Sequence, residues 1–228
     1  MSEQVVVEKD MLMQAQGFWQ KNQRSILIAL FAVVIIVGGV YAYNKFIKEP
    51  KELKAAEAIY GVQQFFGADS SNLVLNGDGA NKGALYIIKN YDGTKAANLA
   101  HYYAGVSYLK LKDFTNAIKY LKDFSTDSKP VQMAAYTTLG HAYAEAGKKE
   151  EAVDAYKKAG NTFTDDADNS AENLSLAAGL LQTMNKNKEA LEIYREIKAK
   201  YPNTQKGFEA DKYIYQLSPN EKNDFSIN

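Results

Sequence analysis

Three regimes of hydrophobic patterning succeed one another along the chain. Residues 1–24 mix charges with apolar positions (Val5, Val6, Val7, Met11, Leu12, Met13, Phe18, Trp19). Such a stretch suits a polar N-terminal tail that either lies as an interfacial helix or docking segment, or frays. From Ser25 to Tyr43 there are 19 residues without a charge. At roughly 1.5 Å of helix rise per residue, that run matches the roughly 30 Å of a bilayer's hydrocarbon core. Residues 25–44 are therefore expected to form one transmembrane helix, with Phe18 and Trp19 at one interface and Tyr41, Tyr43 and Phe46 at the other. Val40-Tyr41-Ala42 resembles a weak signal cleavage site. The apolar run, however, exceeds the roughly 7 to 15 residues usual in a signal's hydrophobic region, so an uncleaved anchor is preferred. Pro50 is expected to end the membrane helix or open the next one.

Beyond Lys51 the apolar residues recur at three and four, the helical period. Lys51 to Phe66 has that spacing at Leu53, Ala56, Ile59, Tyr60, Val62 and Phe66, and Gly83 to Tyr91 is its candidate partner helix. Between them residues 72–82, with Asn-Gly and Asp-Gly steps, read as a loop. Further on, small and aromatic residues return in register. Tyr136, Leu139, Gly140, Tyr143, Ala152, Tyr156 and Ala159 form one set; Gly105, Tyr108 and Ala117 lie 35 residues ahead of Gly140, Tyr143 and Ala152. Downstream, Ala190, Tyr194 and Pro202 recover a second helix, while Leu174, Ala177, Ala178 and Leu181 replace the first helix's signature.

This pattern resembles the 34-residue tetratricopeptide repeat, a pair of antiparallel helices that must stack on neighbours to bury its apolar face. The expected fold is all-α: one N-terminal transmembrane helix, then a tetratricopeptide α-solenoid of three to four helix pairs with a C-terminal capping helix. The repeat domain is placed at 50–217, with clear repeats at about 98–131, 133–166 and 171–204. Gly207 to Leu217 is read as the polar-faced cap, and 218–228 as a polar tail.

Charge excludes more than it suggests. The chain holds 27 basic and 27 acidic residues, and five and four of these precede Lys51. The repeat region therefore has no excess to attract nucleic acid. Lysines on both sides of the span leave its orientation open by charge alone; a short inner tail with an exported domain is expected because the first span usually dominates. The absence of cysteine means no disulfides and fits either compartment. The two histidines, His101 and His141, sit on first helices of successive repeats without metal-ligand spacing. Asp165, Asp166, Asp168 and Glu172 lack the glycine and terminal glutamate of a calcium loop; Asn169 with Glu172 reads instead as the capping start of the third repeat. No nucleophile–base set, phosphate loop or zinc motif occurs, so no enzyme activity, cofactor, metal or small-molecule substrate is expected.

The candidate partner-binding residues are those that would line the solenoid's concave face: Tyr102, Val106, Leu109, Thr137, His141 and Gln182. None of them forms the Lys/Asn clamp by which some such domains hold a partner's terminal carboxylate. Gly38 and Ala42, four apart in the span, are the candidates for docking another membrane helix; two small residues facing lipid are the alternative.

Short tail, single span and small repeat domain together resemble the YfgM-like ancillary subunits of the bacterial SecYEG translocon, in a Bacteroidota-like form. The most specific part is Leu75-Asn76-Gly77-Asp78-Gly79, Gly83, Ile87-Ile88 and the run from Gly93 through Gly105. The resemblance implies an inner-membrane protein with a cytoplasmic N-terminus and a periplasmic repeat domain. Its partners would be the SecYEG channel, a PpiD-like membrane-anchored chaperone and newly exported chains. A repeat scaffold for another envelope or cell-division complex is the alternative that the same residues allow.

Overall fold

The computed structural model describes residues 2–218, which fall into two compact units, one up to Leu53 and one from Lys54 onward. Only Ser218 of the expected 218–228 tail lies within the described residues.

In the first unit, helix α1 (Ser2–Tyr43) runs through both the polar preamble and the apolar run. Its side chains from Leu27 to Tyr43 are exposed, and the stretch Gln16–Gly67 contains a window of mean hydropathy 2.7 with none of it buried within the chain. This helix is long and apolar enough to cross a bilayer. A single π-helical turn follows (Asn44–Lys48), in which the Glu49 N–H bonds back to the Asn44 carbonyl. Helix α2 (Glu49–Gly67) then opens with Pro50 at its second position. Pro50 carries no N–H and its ring crowds the carbonyl four residues back. The widened turn just before it takes up that misfit, so the chain stays helical through the proline instead of breaking.

The second unit opens with a cluster made by α2, α3 (Ser71–Asn76) and α4 (Ala84–Asn90), where Ala55, Ile59, Val62, Val74, Leu75, Ala84 and Ile87 are buried with the start of α5. The loop expected over 72–82 is thus partly helical. Burying Val74 and Leu75 holds a helical turn as far as Asn76, and the turn chemistry begins only at Gly77. Gly77 has φ 78°, and a Cβ there would stand 2.1 Å from the Asn81 carbonyl oxygen, so no other residue fits. Asp78 Oδ1 closes the turn by accepting the Asn81 N–H at 2.7 Å.

Helix pairs follow: α5 (Lys95–Lys110) with α6 (Phe114–Lys122), α7 (Lys129–Glu145) with α8 (Lys149–Thr162), α9 (Ala167–Thr183) with α10 (Asn187–Lys200), and then α11 (Gln205–Leu217). Each first helix ends in the same way. Lys112, Gly147 and Asn185 take left-handed φ values of 62°, 74° and 58°. The next N–H reaches back over the turn, Asp113 to Tyr108, Lys148 to Tyr143 and Lys186 to Leu181, at 2.9 Å each time. This is the Schellman closure, and it falls on the residue that ends the repeat signature in each first helix. Between the helices of a pair the approach is close. A Cβ on Gly105 would lie 2.5 Å from Leu121, and one on Gly140 2.5 Å from the Tyr156 ring. In the degenerate third repeat Leu174, Ala177, Ala178 and Leu181 are all buried, so they hold the same core places without the signature's glycine and tyrosines.

Two further local expectations are corrected. Helix α9 starts one turn earlier than an Asn169 cap implies. Asp166 is the cap: its Oδ1 accepts the Asn169 N–H at 3.2 Å and its Oδ2 the Asn169 side-chain amide at 2.7 Å, which places Asn169 inside the first turn. Helix α11 is not polar on its outer face: Gly207, Ala210 and Ile214 pack inward, but Phe208 is 70% and Tyr215 59% exposed.

Candidate protein-binding surface

The first helices α5, α7 and α9 carry the six candidate residues, and local packing sets how much each can offer. On α5, Tyr102, Val106 and Leu109 follow one another at helical spacing and are all half-buried. Tyr102 packs its ring 5.3 Å from Phe124. Burial pushes its hydroxyl's pKa up, with nearby Tyr103 adding to the rise and a hydrogen bond with Thr138 of α7 opposing it. Leu109 packs against the cluster of Ala117, Ile118, Leu139 and Ala142 that joins the first two repeats.

On α7, Thr137 and His141 stand one turn apart. The Thr137 hydroxyl donates to Asn173 Oδ1 at 2.7 Å, with the Met133 carbonyl also near at 3.0 Å, and Asn173 Nδ2 donates in turn to Asn169 O. Asn173 is only 3% exposed, so this bond joins α7 to α9 at a place where an unpaired amide would be costly. His141 is exposed at one edge, while its Nδ1 lies 2.8 Å from the Tyr156 hydroxyl. Burial pushes Tyr156 up to about 12, so its hydroxyl keeps its proton at neutral pH, and the direction of its bond with Nδ1 follows the imidazole tautomer. Burial also lowers the pKa of His141, against a smaller opposing effect from Glu145. On α9, Gln182 Oε1 accepts from the Tyr194 hydroxyl at 3.1 Å, and burial likewise holds Tyr194 up at about 12.

The structure thus brings Tyr102 against α7 and ties Thr137, His141 and Gln182 each to a second helix. Val106 is the candidate for which no such tie is shown. Several contacts escape a reading by sequence spacing. Asn98 Nδ2 donates to the Ser125 carbonyl at 2.7 Å and its Oδ1 accepts the Ser125 N–H at 3.2 Å, imitating a backbone pair across 27 residues. Tyr194 stacks on Tyr213 of α11 at 4.5 Å. An amide at such a position has no one-dimensional signal that distinguishes it from an ordinary surface residue, and the repeat signature marks Tyr194 without showing its partners. A separate half-open groove of about 410 Å³ lies between α6, α7 and α8, with an apolar and aromatic floor that includes Phe124, Tyr136 and Tyr143. None of the six candidates lines it.

In α1, Gly38 and Ala42 lie on one exposed side, and a Cβ built on Gly38 meets open space. His101 packs its ring 5.8 Å from Tyr120 with Nδ1 buried and unpartnered; burial is the main cause of its lowered pKa. Among the described residues no group of three His, Cys, Asp or Glu side chains could hold a metal ion.

Comparison with known families agrees with this geometry. Tetratricopeptide-repeat models match residues 99–127 and 174–204, and a further one matches 134–159. No curated protein matches the chain. Repeats of this kind mediate protein–protein contacts and are generally non-enzymatic scaffolds. The fold is therefore an all-α tetratricopeptide solenoid joined to one long apolar N-terminal helix, and its architecture is that of an adaptor for other proteins.

Proposed function

We propose that this chain is a membrane-anchored adaptor that works beside the SecYEG channel of a bacterial inner membrane. In this reading residues 25–44 span the bilayer, the N-terminus is cytoplasmic, and the repeat domain at 50–217 is periplasmic. The face built from α5, α7 and α9 holds a PpiD-like anchored chaperone or a newly exported polypeptide, and Gly38 with Ala42 forms the side of the span that docks on a channel helix.

The observation that carries the reading is the presence on one chain of an apolar helix exposed from Leu27 to Tyr43 and a repeat solenoid. An exposed helix of that kind needs lipid or another membrane helix around it. The stretch that most resembles the translocon subunits, Leu75 to Gly105, supports it further. In the structure it builds the end of α3, the Gly77 turn, α4 and the first part of α5, a packed element ahead of the first clear repeat.

Affinity purification of the tagged full-length protein from gently solubilised membranes tests the proposal. Channel subunits and an anchored chaperone recovered in stoichiometric amounts are the expected result. Recovery of the protein alone, or with components of another envelope or division complex, contradicts it.

A further inference from the structure

The outer face of α11 is where the solenoid changes character. Helices α5 and α11 begin with one and the same cap. Thr94 and Thr204 each accept the N–H three residues on, from Ala97 and Gly207, and each donates its hydroxyl to a tyrosine carbonyl three residues back, Tyr91 and Tyr201. This shared cap fixes the register between the two helices. On α5 the side facing its own second helix carries Asn98, which clamps Ser125, His101, which packs on Tyr120, and Gly105, which lies under Leu121. The matching positions on α11 are Phe208, Asp211 and Tyr215. A tyrosine where a repeat needs glycine cannot receive a second helix in the repeat's close manner, yet two aromatics 70% and 59% exposed make a poor solvent face.

We propose that this face is a homodimer seam, covered by α11 of a second copy of the chain running antiparallel. The order Phe208-x-x-Asp211-Lys212-x-x-Tyr215 is its own complement when reversed. A two-fold axis between residues 211 and 212 sets Phe208 opposite Tyr215 of the other copy and Asp211 opposite its Lys212. That is what an isologous contact requires, residue i meeting j and j meeting i. All four residues fall on one side of the helix at spacings of three, four and seven. Asp211 is 44% exposed at its side chain, with Oδ1 buried and Oδ2 held by Lys198, so the incoming Lys212, moving from its place over the Tyr213 ring, joins the Oδ2 side of a carboxylate that is in place. Four aromatic rings and two charge pairs make a small seam. This rests on the membrane-anchored reading proposed above, in which both copies share one bilayer and their raised effective concentration lowers the affinity that the seam must supply. None of the six candidate residues on α5, α7 and α9 takes part in the seam.

The chain has no cysteine, so introduced pairs report without background. Full-length Phe208→Cys and Tyr215→Cys proteins, carrying different tags, are co-expressed and their membranes oxidised. The 208-to-215 disulfide is expected to exceed the 208-to-208 disulfide by about ten-fold, and Lys212→Glu in both copies, which sets two carboxylates together, to reduce it by about ten-fold. Lys157→Cys, exposed on α8, is the control for random collision. Phe208 and Tyr215 lie outside the core, and equal thermal melts of the variants confirm that folding is intact. A 208-to-215 yield no higher than the 208-to-208 or 157-to-157 yield overturns the proposal, whether residues 219–228, a foreign helix or water covers α11.

Discussion

At the scale of single residues, the turns between paired helices show how backbone demands and sequence are reconciled. The same left-handed position is filled by Gly147 in one repeat but by Lys112 and Asn185 in the others. A side chain in that conformation costs about 1–2 kcal/mol, and asparagine tolerates it better than lysine. Lys112→Gly is therefore expected to stabilise the protein by about 0.5–1 kcal/mol, read as a rise in denaturation midpoint. Gly140 poses the opposite case. A Cβ there meets the Tyr156 ring at 2.5 Å, so Gly140→Ala should destabilise by about 1–3 kcal/mol and disturb the His141–Tyr156 contact. The histidines set an acid limit. Both His101 and His141 have folded pKa values below the unfolded 6.5, chiefly through burial, so the folded state prefers them neutral. Their contribution is fully present above pH 6.5 and is lost as pH falls from there through the lowered folded values. A melting temperature that declines below pH 6.5, with less decline in a His101→Phe variant, is the expected result; an unchanged slope in that variant would remove His101 from the account.

At the scale of elements, legibility in the sequence tracked how a feature is encoded. The glycine, alanine and tyrosine positions of α5 to α8 stand out because close helix approach and gap filling restrict residue type, and they recur at a fixed offset. The third repeat kept the same buried places with leucine and alanine, which any amphipathic helix uses, so its first helix was harder to recognise. Helix α3 was hidden because a short helix buried through Val74 and Leu75 leads straight into turn residues. The partner-binding candidates are legible as positions on helices, whereas the ties of Thr137, His141 and Gln182 to Asn173, Tyr156 and Tyr194 depend on contacts 12 to 36 residues apart. Two predictions belong here. Thr137→Val removes the donor to a buried amide and should cost about 1–3 kcal/mol in the stability of the repeat domain, read by denaturant unfolding. Ile214→Ala opens a cavity where α11 closes the last cluster, and should cost about 2–5 kcal/mol.

At the scale of the whole molecule, the chain carries an apolar helix exposed from Leu27 to Tyr43 and a solenoid whose first helices hold half-buried aromatic, aliphatic and polar side chains. The first part predicts that the full-length protein stays with membranes under alkaline carbonate, and that removing residues 1–44 releases it; extraction of the intact chain would count against the anchor. The second part is the central claim, that a protein partner lies on the face of α5, α7 and α9. Photocrosslinking residues placed singly at Tyr102, Val106, Leu109, Thr137, His141 and Gln182 of the full-length protein in intact membranes test it most directly. Exposed positions on α8 and α10, such as Lys157 and Arg195, serve as controls. One common partner captured from several of these six positions and not from the controls is the expected result. No partner from the six positions, or the same products from both faces, would contradict it.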